Sequence, residues 1–225
     1  MNTFRVLLAA TICACATTSF AQTPAPAQAA KPTDIYHVLF AKAAPGQAAA
    51  LAKELQEPDP KDPMTSHFIL LRHQEGADWD YCLIQHVGAK ASVEIPAASK
   101  PSLSIAWHDD SFVSGPSWPE FQKVMGLGEQ SGQPVYVVSV QRAVPGHRDQ
   151  LLQLLNQRAP NTKATVSSLV MTHVEGGPWQ YLTLDRYNSW QDLGADRAAS
   201  TGGQGWLDTR QHSAYHTDTI ADRVR

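Results

Sequence analysis

The chain carries the same sequence pattern twice, at an offset of 100 positions. Residues 35–87 align without a gap on residues 135–187, and the matches include residue types that rarely coincide, such as Trp and His. The matched pairs include Tyr36/Tyr136, Val38/Val138, Ala43/Ala143, Pro45/Pro145, Gly46/Gly146, Leu51/Leu151, Leu55/Leu155, His73/His173, Glu75/Glu175, Gly76/Gly176, Trp79/Trp179 and Tyr81/Tyr181. Self-similarity at a fixed offset is the signature of a repeated structural unit. We therefore interpret the chain as a tandem duplication.

Each copy predicts the same series of elements. A run of β-branched, aromatic and aliphatic residues predicts a first strand, and Pro-Gly then leads into a helix with leucines four residues apart. The predicted elements of the first copy are a strand at Ile35–Lys42, a helix at 46–56, strands at His67–His73 and Trp79–His86, a helix within Ala89–Ser99 and a strand at His108–Val113. Those of the second are a strand at Val135–Arg142, a helix at 146–157, strands at Ser167–His173 and Trp179–Tyr187, helices within Ser189–Arg197 and Trp206–Ala214, and a strand at His216–Ala221. The closing strands predict an insertion in the second copy at the Gly-rich segment Thr201–Gly205.

The order β-α-β-β-α-β predicts an α+β fold in which each copy is a ferredoxin-like unit, with both helices on one face of a four-stranded antiparallel sheet. The other face would then be bare. Runs such as Val38–Phe40, Phe68–Leu71 and Leu169–Met171 are apolar without alternation, which indicates burial on both sides of the sheet. We therefore expect the two units to pack sheet to sheet as a pseudo-dimer within one chain, which would form an intramolecular α/β barrel.

These features resemble those of the dimeric α/β-barrel superfamily of ferredoxin-like domains. The resemblance is carried by the strand, Pro-Gly and helix at Tyr36–Leu55 and Tyr136–Leu155, by the hairpins that follow, and by the closing segments His108–Ser111 and His216–Thr219. It covers nearly all of residues 34–224. It implies a ligand pocket within or beside a barrel, in a superfamily that includes cofactor-independent monooxygenases, haem-binding and haem-degrading proteins, peroxidases, lactone isomerases and stress-response proteins. No single subfamily's catalytic set can be matched residue by residue.

The N-terminus predicts export to the periplasm or secretion. Arg5 precedes the apolar stretch Val6–Ala16, and Ser19–Ala21 fits a signal-peptidase site, so residues 1–21 are expected to be removed. An alternative interpretation is a lipoprotein signal with Cys15 acylated. Residues 22–33 are rich in Pro, Ala and Gln and predict a tether. The remaining divisions are a first repeat at 34–113, a linker at 114–134 and a second repeat at 135–225.

Charge and motifs exclude several classes of function. The full chain has a net charge of −3 without a basic run, so binding to nucleic acid or to an anionic membrane is not expected. Its apolar segments are too short to span a bilayer, so membrane insertion is not expected either. After removal of the signal, Cys82 is the only cysteine and is interpreted as a buried apolar residue. Nucleotide-binding loops, serine nucleophile elbows and common zinc motifs are absent from the sequence. The sequence specifies neither a cofactor nor a metal.

Two repeated motifs contain candidate site residues. In the first motif, His73 and His173 close a strand and could bind a ligand, metal or haem, although a structural interpretation, in which the motif stabilises the hairpin and core, is favoured. His37 has no counterpart in the second repeat, and we expect it to line the barrel.

The second motif supplies the candidate catalytic residues, which are His108, Asp110, His216 and Asp218. Residues two apart in a strand share one face, so each imidazole would lie beside a carboxylate that raises its basicity. The alternative interpretation is an edge strand whose polar residues cap a helix or pair with one another at the surface. The favoured hypothesis for the whole protein is binding of a small apolar or aromatic molecule between the two sheets. The alternatives are an oxygenase-type or haem-handling enzyme using a His/Asp pair, and a structural or assembly role.

Overall fold

The computed structural model describes residues 34–57, 66–89, 102–128, 133–157 and 165–224. Within these ranges the fold is mixed α+β. The strands are β1 (Asp34–Ala43), β2 (Phe68–Glu75), β3 (Tyr81–Ala89), β4 (Ile105–Gly115), β5 (Val135–Ala143), β6 (Thr165–Glu175), β7 (Tyr181–Tyr187) and β8 (Ser213–Arg223). The helices are α1 (Ala48–Gln56), α2 (Trp118–Met125), α3 (Arg148–Gln157), α4 (Trp190–Ser200) and α5 (Gln204–His212). The predicted signal peptide and tether lie outside the described residues, as does the helix predicted within Ala89–Ser99 apart from Ala89, which ends β3.

All eight strands pair antiparallel in the order β1-β3-β2-β8-β5-β7-β6-β4, and β4 also pairs with β1, so the sheet closes into a barrel. The strand order within the first repeat, β4-β1-β3-β2, recurs in the second as β8-β5-β7-β6. Two seams join the repeats, one between β2 and β8 and the other between β4 and β6. Closure leaves no unpaired strand edge among these eight strands, and such edges are otherwise sites of aggregation.

Both faces of β1 are buried, which accounts for its unbroken apolar run. Tyr36, Val38 and Phe40 project into the barrel interior, where they join the main apolar cluster. Leu39 and Ala41 project outward and pack against Leu51 of α1. Burying a side chain of this size stabilises a fold by about 1.5–3 kcal/mol. A shift of one residue would exchange the inward-facing and outward-facing side chains of β1, so these contacts favour one register.

The end of the barrel at which β1 and β5 begin is closed by α2. The ring of Phe121 stacks on Tyr36 with centroids 5.0 Å apart, and the hydroxyl of Tyr136 donates a 2.9 Å hydrogen bond to the carbonyl of Met125. Trp118, Phe121 and Met125 are all buried in the interior cluster. The segment 114–134, interpreted from its Pro and Gly residues as a linker, therefore contains a helix that completes the core. Among the described residues, no helix has the length and apolar character needed to cross a bilayer.

Candidate ligand-binding site

The opposite end of the barrel, where β1 and β5 finish, is open and contains a cavity of about 390 Å³. Its walls come from both repeats and from the turns that follow β2 and β6. The lining residues are Phe40, Ala77, Trp79, Trp107, Asp109, Val138, Val140, Arg142, Pro178, Trp179, Tyr215, Thr217 and Thr219. Ligand sites in proteins are concave, mainly apolar and provided with a few polar groups. The barrel cavity has this character, because five of its lining residues are aromatic and only Asp109 and Arg142 are charged.

The repeated tryptophans form the floor of the barrel cavity. Trp79 and Trp179 are almost fully buried, and the ring of Phe40 lies 5.6 Å from the first and 6.5 Å from the second, centroid to centroid. Each indole also meets the imidazole of its own repeat edge to face, His73 at 5.6 Å and His173 at 5.1 Å. The imidazoles therefore lie behind the tryptophans and hold them in place rather than lining the cavity themselves.

The Nε2 atoms of His73 and His173 are buried, and neither has a hydrogen-bond partner within the described part of the chain. Burial is the largest influence on His173 and lowers its pKa below the ordinary value, and the positive charge of Arg148 lowers it further. A ligand-binding role for these two residues remains a prediction. Their placement against Trp79 and Trp179 matches the structural interpretation of the motif.

Each hairpin is pressed against the last strand of the other repeat. Gly76 and Gly176 have φ angles of 129° and 111°, in the region that favours glycine. A Cβ atom on Gly176 would collide with the backbone of Ser111 in β4, and one on Gly76 would collide with the backbone of Thr219 in β8. The two Glu-Gly turns therefore stabilise the two seams by packing so closely on the neighbouring strand that a side chain at the glycine would not fit.

The predicted catalytic residues His108 and Asp110 lie on the outer face of the sheet. His108 Nε2 is 3.0 Å from one oxygen of Asp110, and His37 Nε2 is 2.7 Å from the other. The hydrogen bond with His37 is the main cause that lowers the pKa of Asp110. The cluster faces away from the cavity because Trp107 and Asp109, which alternate with it along β4, face inward. His37 likewise does not line the barrel, since the even-numbered residues of β1 occupy the interior.

His216 and Asp218 also face outward, toward the helices of the second repeat. Asp218 accepts hydrogen bonds from Ser139 Oγ at 2.7 Å and from Arg197 at 3.1 Å, while His216 Nδ1 lies 2.7 Å from a guanidinium nitrogen of Arg210. Burial alone would raise the pKa of Asp218, but the bond from Ser139 and the charge of Arg197 outweigh it and lower the pKa. Burial is also the main cause that lowers the pKa of His216. A catalytic role for the four residues remains a prediction, and they lie on the opposite side of the sheet from the cavity.

Sequence reasoning passed over the residues that bring chemistry to the cavity, Asp109 and Arg142. Asp109 alternates along its strand with candidate catalytic residues, and Arg142 alternates along its strand with buried residues. The sequence does not show which face of either strand points into the barrel. Phe40, which projects inward, pairs in register with Asp109. That register, had it been known, would have identified the cavity-facing acid.

Among the described residues, no group of three or more His, Cys, Asp or Glu side chains is arranged so that it could hold a metal ion. Cys82 is buried, as expected, and burial raises the pKa of its thiol well above the ordinary value, which disfavours the reactive thiolate.

Comparisons with known proteins show a similar fold but no family. No protein-family model matches the sequence, and no curated protein matches it. Among solved structures, the chain is similar to a protein described as anthrone oxidase-like, with a TM-score of 0.55 and 12% sequence identity. The similarity covers 86% of this chain and 92% of that protein. At this identity the match concerns the fold alone.

Proposed function

We propose that this protein binds a small aromatic molecule in the barrel cavity. The observation that carries the proposal is the cavity itself, about 390 Å³ in volume and walled by aromatic side chains from both repeats. Buried aromatic rings contribute large contact areas and prefer offset or edge-to-face neighbours, which favours a planar ligand. Trp79 and Trp179 supply such surfaces at the floor of the space, and Trp107 lines it as well.

The barrel environment supports a preformed site. The floor residues Trp79 and Trp179 are held by the histidines behind them, and the seams are fixed by the hairpin turns. A ligand that enters such a site pays little for ordering the protein, so a larger part of the contact energy appears as affinity.

A titration with a neutral aromatic probe tests this proposal. We expect 1-naphthalenemethanol to bind the wild-type protein in isothermal titration calorimetry, and Trp107→Ala to weaken that binding about fivefold, which corresponds to roughly 1 kcal/mol. Trp206→Ala is the matched control, because Trp206 is 51% exposed and lies outside the cavity, whereas Trp107 is 39% exposed and lines it. Absence of probe binding, or an equal loss in the two variants, would contradict the proposal.

A second candidate is an oxygenase-type enzyme acting in the same cavity. It is favoured by the carboxylate of Asp109 on the cavity wall, which could accept a proton from a bound anthrone. One molecule of O2 would then oxidise the deprotonated anthrone to the quinone, with one oxygen atom entering the product and the other leaving as water. The fold shared with a protein described as anthrone oxidase-like is compatible with this role. Oxygen uptake with an anthrone substrate, lost in Asp109→Asn, would support catalysis. Uptake that persists in that variant would remove Asp109 from the mechanism.

We further propose that the two repeats are ferredoxin-like units and that the chain is a tandem member of the dimeric α/β-barrel superfamily. The shared strand order β4-β1-β3-β2 and β8-β5-β7-β6 supports this assignment. Export through the signal peptide 1–21 is proposed from the sequence. N-terminal sequencing of the protein recovered from the periplasm should begin at Gln22, and recovery of the uncleaved chain from the cytoplasm would contradict export.

A further inference from the structure

The two repeats place a cation at the same position of their first strand, Lys42 in β1 and Arg142 in β5. In the first repeat this cation is neutralised by its own hairpin. Lys42 Nζ lies 2.7 Å from a carboxylate oxygen of Asp78 and 3.4 Å from one of Asp80. Lys42 is not among the residues that line the barrel cavity.

In the second repeat both neutralising carboxylates are gone, because Pro178 and Gln180 occupy the positions of Asp78 and Asp80. The side chain of Gln180 still accepts a 2.9 Å hydrogen bond from the backbone N–H of Ala143. It thereby reproduces the 2.8 Å bond from Ala43 to Asp80. The substitution therefore keeps the acceptor that the strand end requires and removes the negative charge.

Arg142 is consequently a cation without a carboxylate partner within the described part of the chain. Its guanidinium carbon lies 5.8 Å from the centre of the Tyr215 ring, which is a cation–π contact at the rim of the cavity. Within the described residues the Arg142 guanidinium makes no side-chain hydrogen bond or ion pair, so its N–H donors are available to a ligand. Such donors recognise carboxylate and other oxyanions through charge-assisted hydrogen bonds.

The other charge of the cavity is the carboxylate of Asp109, which restricts where an anionic group can lie. Asp109 lies on the wall formed by β4, where the second repeat has the neutral Thr217 in β8. A carboxylate on this wall repels a negatively charged group and so favours placing that group at the rim, beside Arg142.

We infer that the ligand of the barrel cavity is a planar aromatic anion, with its ring among the tryptophans and its negatively charged oxygen on Arg142. This inference rests on the proposed function and deepens it by naming the ligand class. It requires a difference in affinity between two ligands of similar size and unequal charge, whereas the proposed function requires only that an aromatic molecule binds.

Calorimetric titrations at pH 7.5 with 1-naphthoate and with 1-naphthalenemethanol separate the two claims. For the wild-type protein we expect the anion to bind about tenfold more tightly, in the range of a charge-assisted hydrogen bond. Arg142→Gln should remove this preference by weakening the binding of the anion about tenfold relative to that of the neutral probe. Arg142→Lys should restore part of it. Lys42→Gln is the matched control, and we expect it to alter neither affinity, because Lys42 is already neutralised.

The outcomes are distinguishable. Binding of both probes with equal affinity, or a preference for the anion that persists in Arg142→Gln, would overturn the inference and leave the aromatic site in place. Absence of binding by both probes would overturn the proposed function and this inference together. Thermal melting of each variant checks that it is folded, and Arg142→Lys provides a second variant at the same position.

Discussion

The two repeats differ in the charges at the ends of their first strands. In the first repeat Lys42 is paired with Asp78 and Asp80, whereas in the second Arg142 is left facing the cavity beside Tyr215. The backbone bond that Asp80 accepts is preserved when Gln180 replaces it. Where the repeats agree, the common feature is one that the barrel needs. Where they diverge next to the cavity, the difference is free to serve a ligand.

The agreement between the repeats is clearest at the hairpins. Gly76 packs on the backbone of β8 and Gly176 on the backbone of β4, so each repeat closes the seam that holds the other. The backbone N–H groups of Ala77 and Gly177 then donate hydrogen bonds to Thr219 and Ser111, at 3.1 Å and 2.8 Å. Both repeats therefore contain the Glu-Gly motif because each of the two turns stabilises one of the two seams that close the sheet.

The largest effect is expected when this shared feature is broken. Gly76→Ala and Gly176→Ala should each lower the free energy of unfolding by about 2–4 kcal/mol, because the new Cβ atom combines a disfavoured φ with a collision against backbone. Urea denaturation followed by circular dichroism measures the loss.

Gly146→Ala is the matched control for these two variants. Gly146 also has a positive φ, 83°, but a Cβ atom there would meet nothing within 4 Å. We expect this substitution to cost only the conformational penalty, about 1–2 kcal/mol. If Gly176→Ala costs no more than Gly146→Ala, the seam does not depend on close approach.

The repeat structure also decides how much the sequence could predict. The strands, the helices after Pro45-Gly46 and Pro145-Gly146, and the hairpins are encoded in local pattern, and the described parts of the structure contain them. The helix α2 was missed because its Pro and Gly flanks resemble a linker, although the spacing of Trp118, Phe121 and Met125 is helical. In so short a helix three apolar residues at helical spacing are not decisive, and the buried face becomes evident only when α2 is seen to close the end of the barrel.

The inward face of β4 could not be predicted for a different reason. Trp107, His108, Asp109 and Asp110 present polar and aromatic groups on both faces, so alternation carries no information about direction. A His beside an Asp is a familiar catalytic pattern, so the sequence alone favours His108 and Asp110, which face outward. The pairing of β4 with β1 places Asp109 beside Phe40 and so fixes the answer, but that contact joins distant parts of the chain.

A smaller effect should follow when the second repeat is given the charge pattern of the first. Gln180→Glu keeps the acceptor for Ala143 and adds a carboxylate at the position of Asp80, so it should partly neutralise Arg142. We expect 1-naphthoate to bind about threefold more weakly, the scale of an exposed ion pair, with no change for 1-naphthalenemethanol. The difference should shrink at high ionic strength.

Asp80→Asn is the counterpart in the first repeat. It removes one charge near Lys42 without touching the cavity, so the affinity for either probe should stay at the wild-type value. An unaltered affinity of Gln180→Glu for the anion would mean that Arg142 is not the group that the anion meets.

The smallest effect concerns the histidines behind the cavity floor. Burial and the charge of Arg148 both lower the pKa of His173, whereas the first repeat has the neutral Ala48 at the position of Arg148. Arg148→Ala should therefore raise the pKa of His173 toward its ordinary value, as followed by NMR titration of its ring protons. The change is small because burial, the larger cause, remains.

A group whose pKa is lowered by folding binds fewer protons in the folded than in the unfolded state. Its stabilising contribution is therefore present above pH about 6.5 and is lost as the pH falls. Arg148→Ala should weaken this loss between pH 7 and 5, and a pKa of His173 that does not move would show that burial alone lowers it.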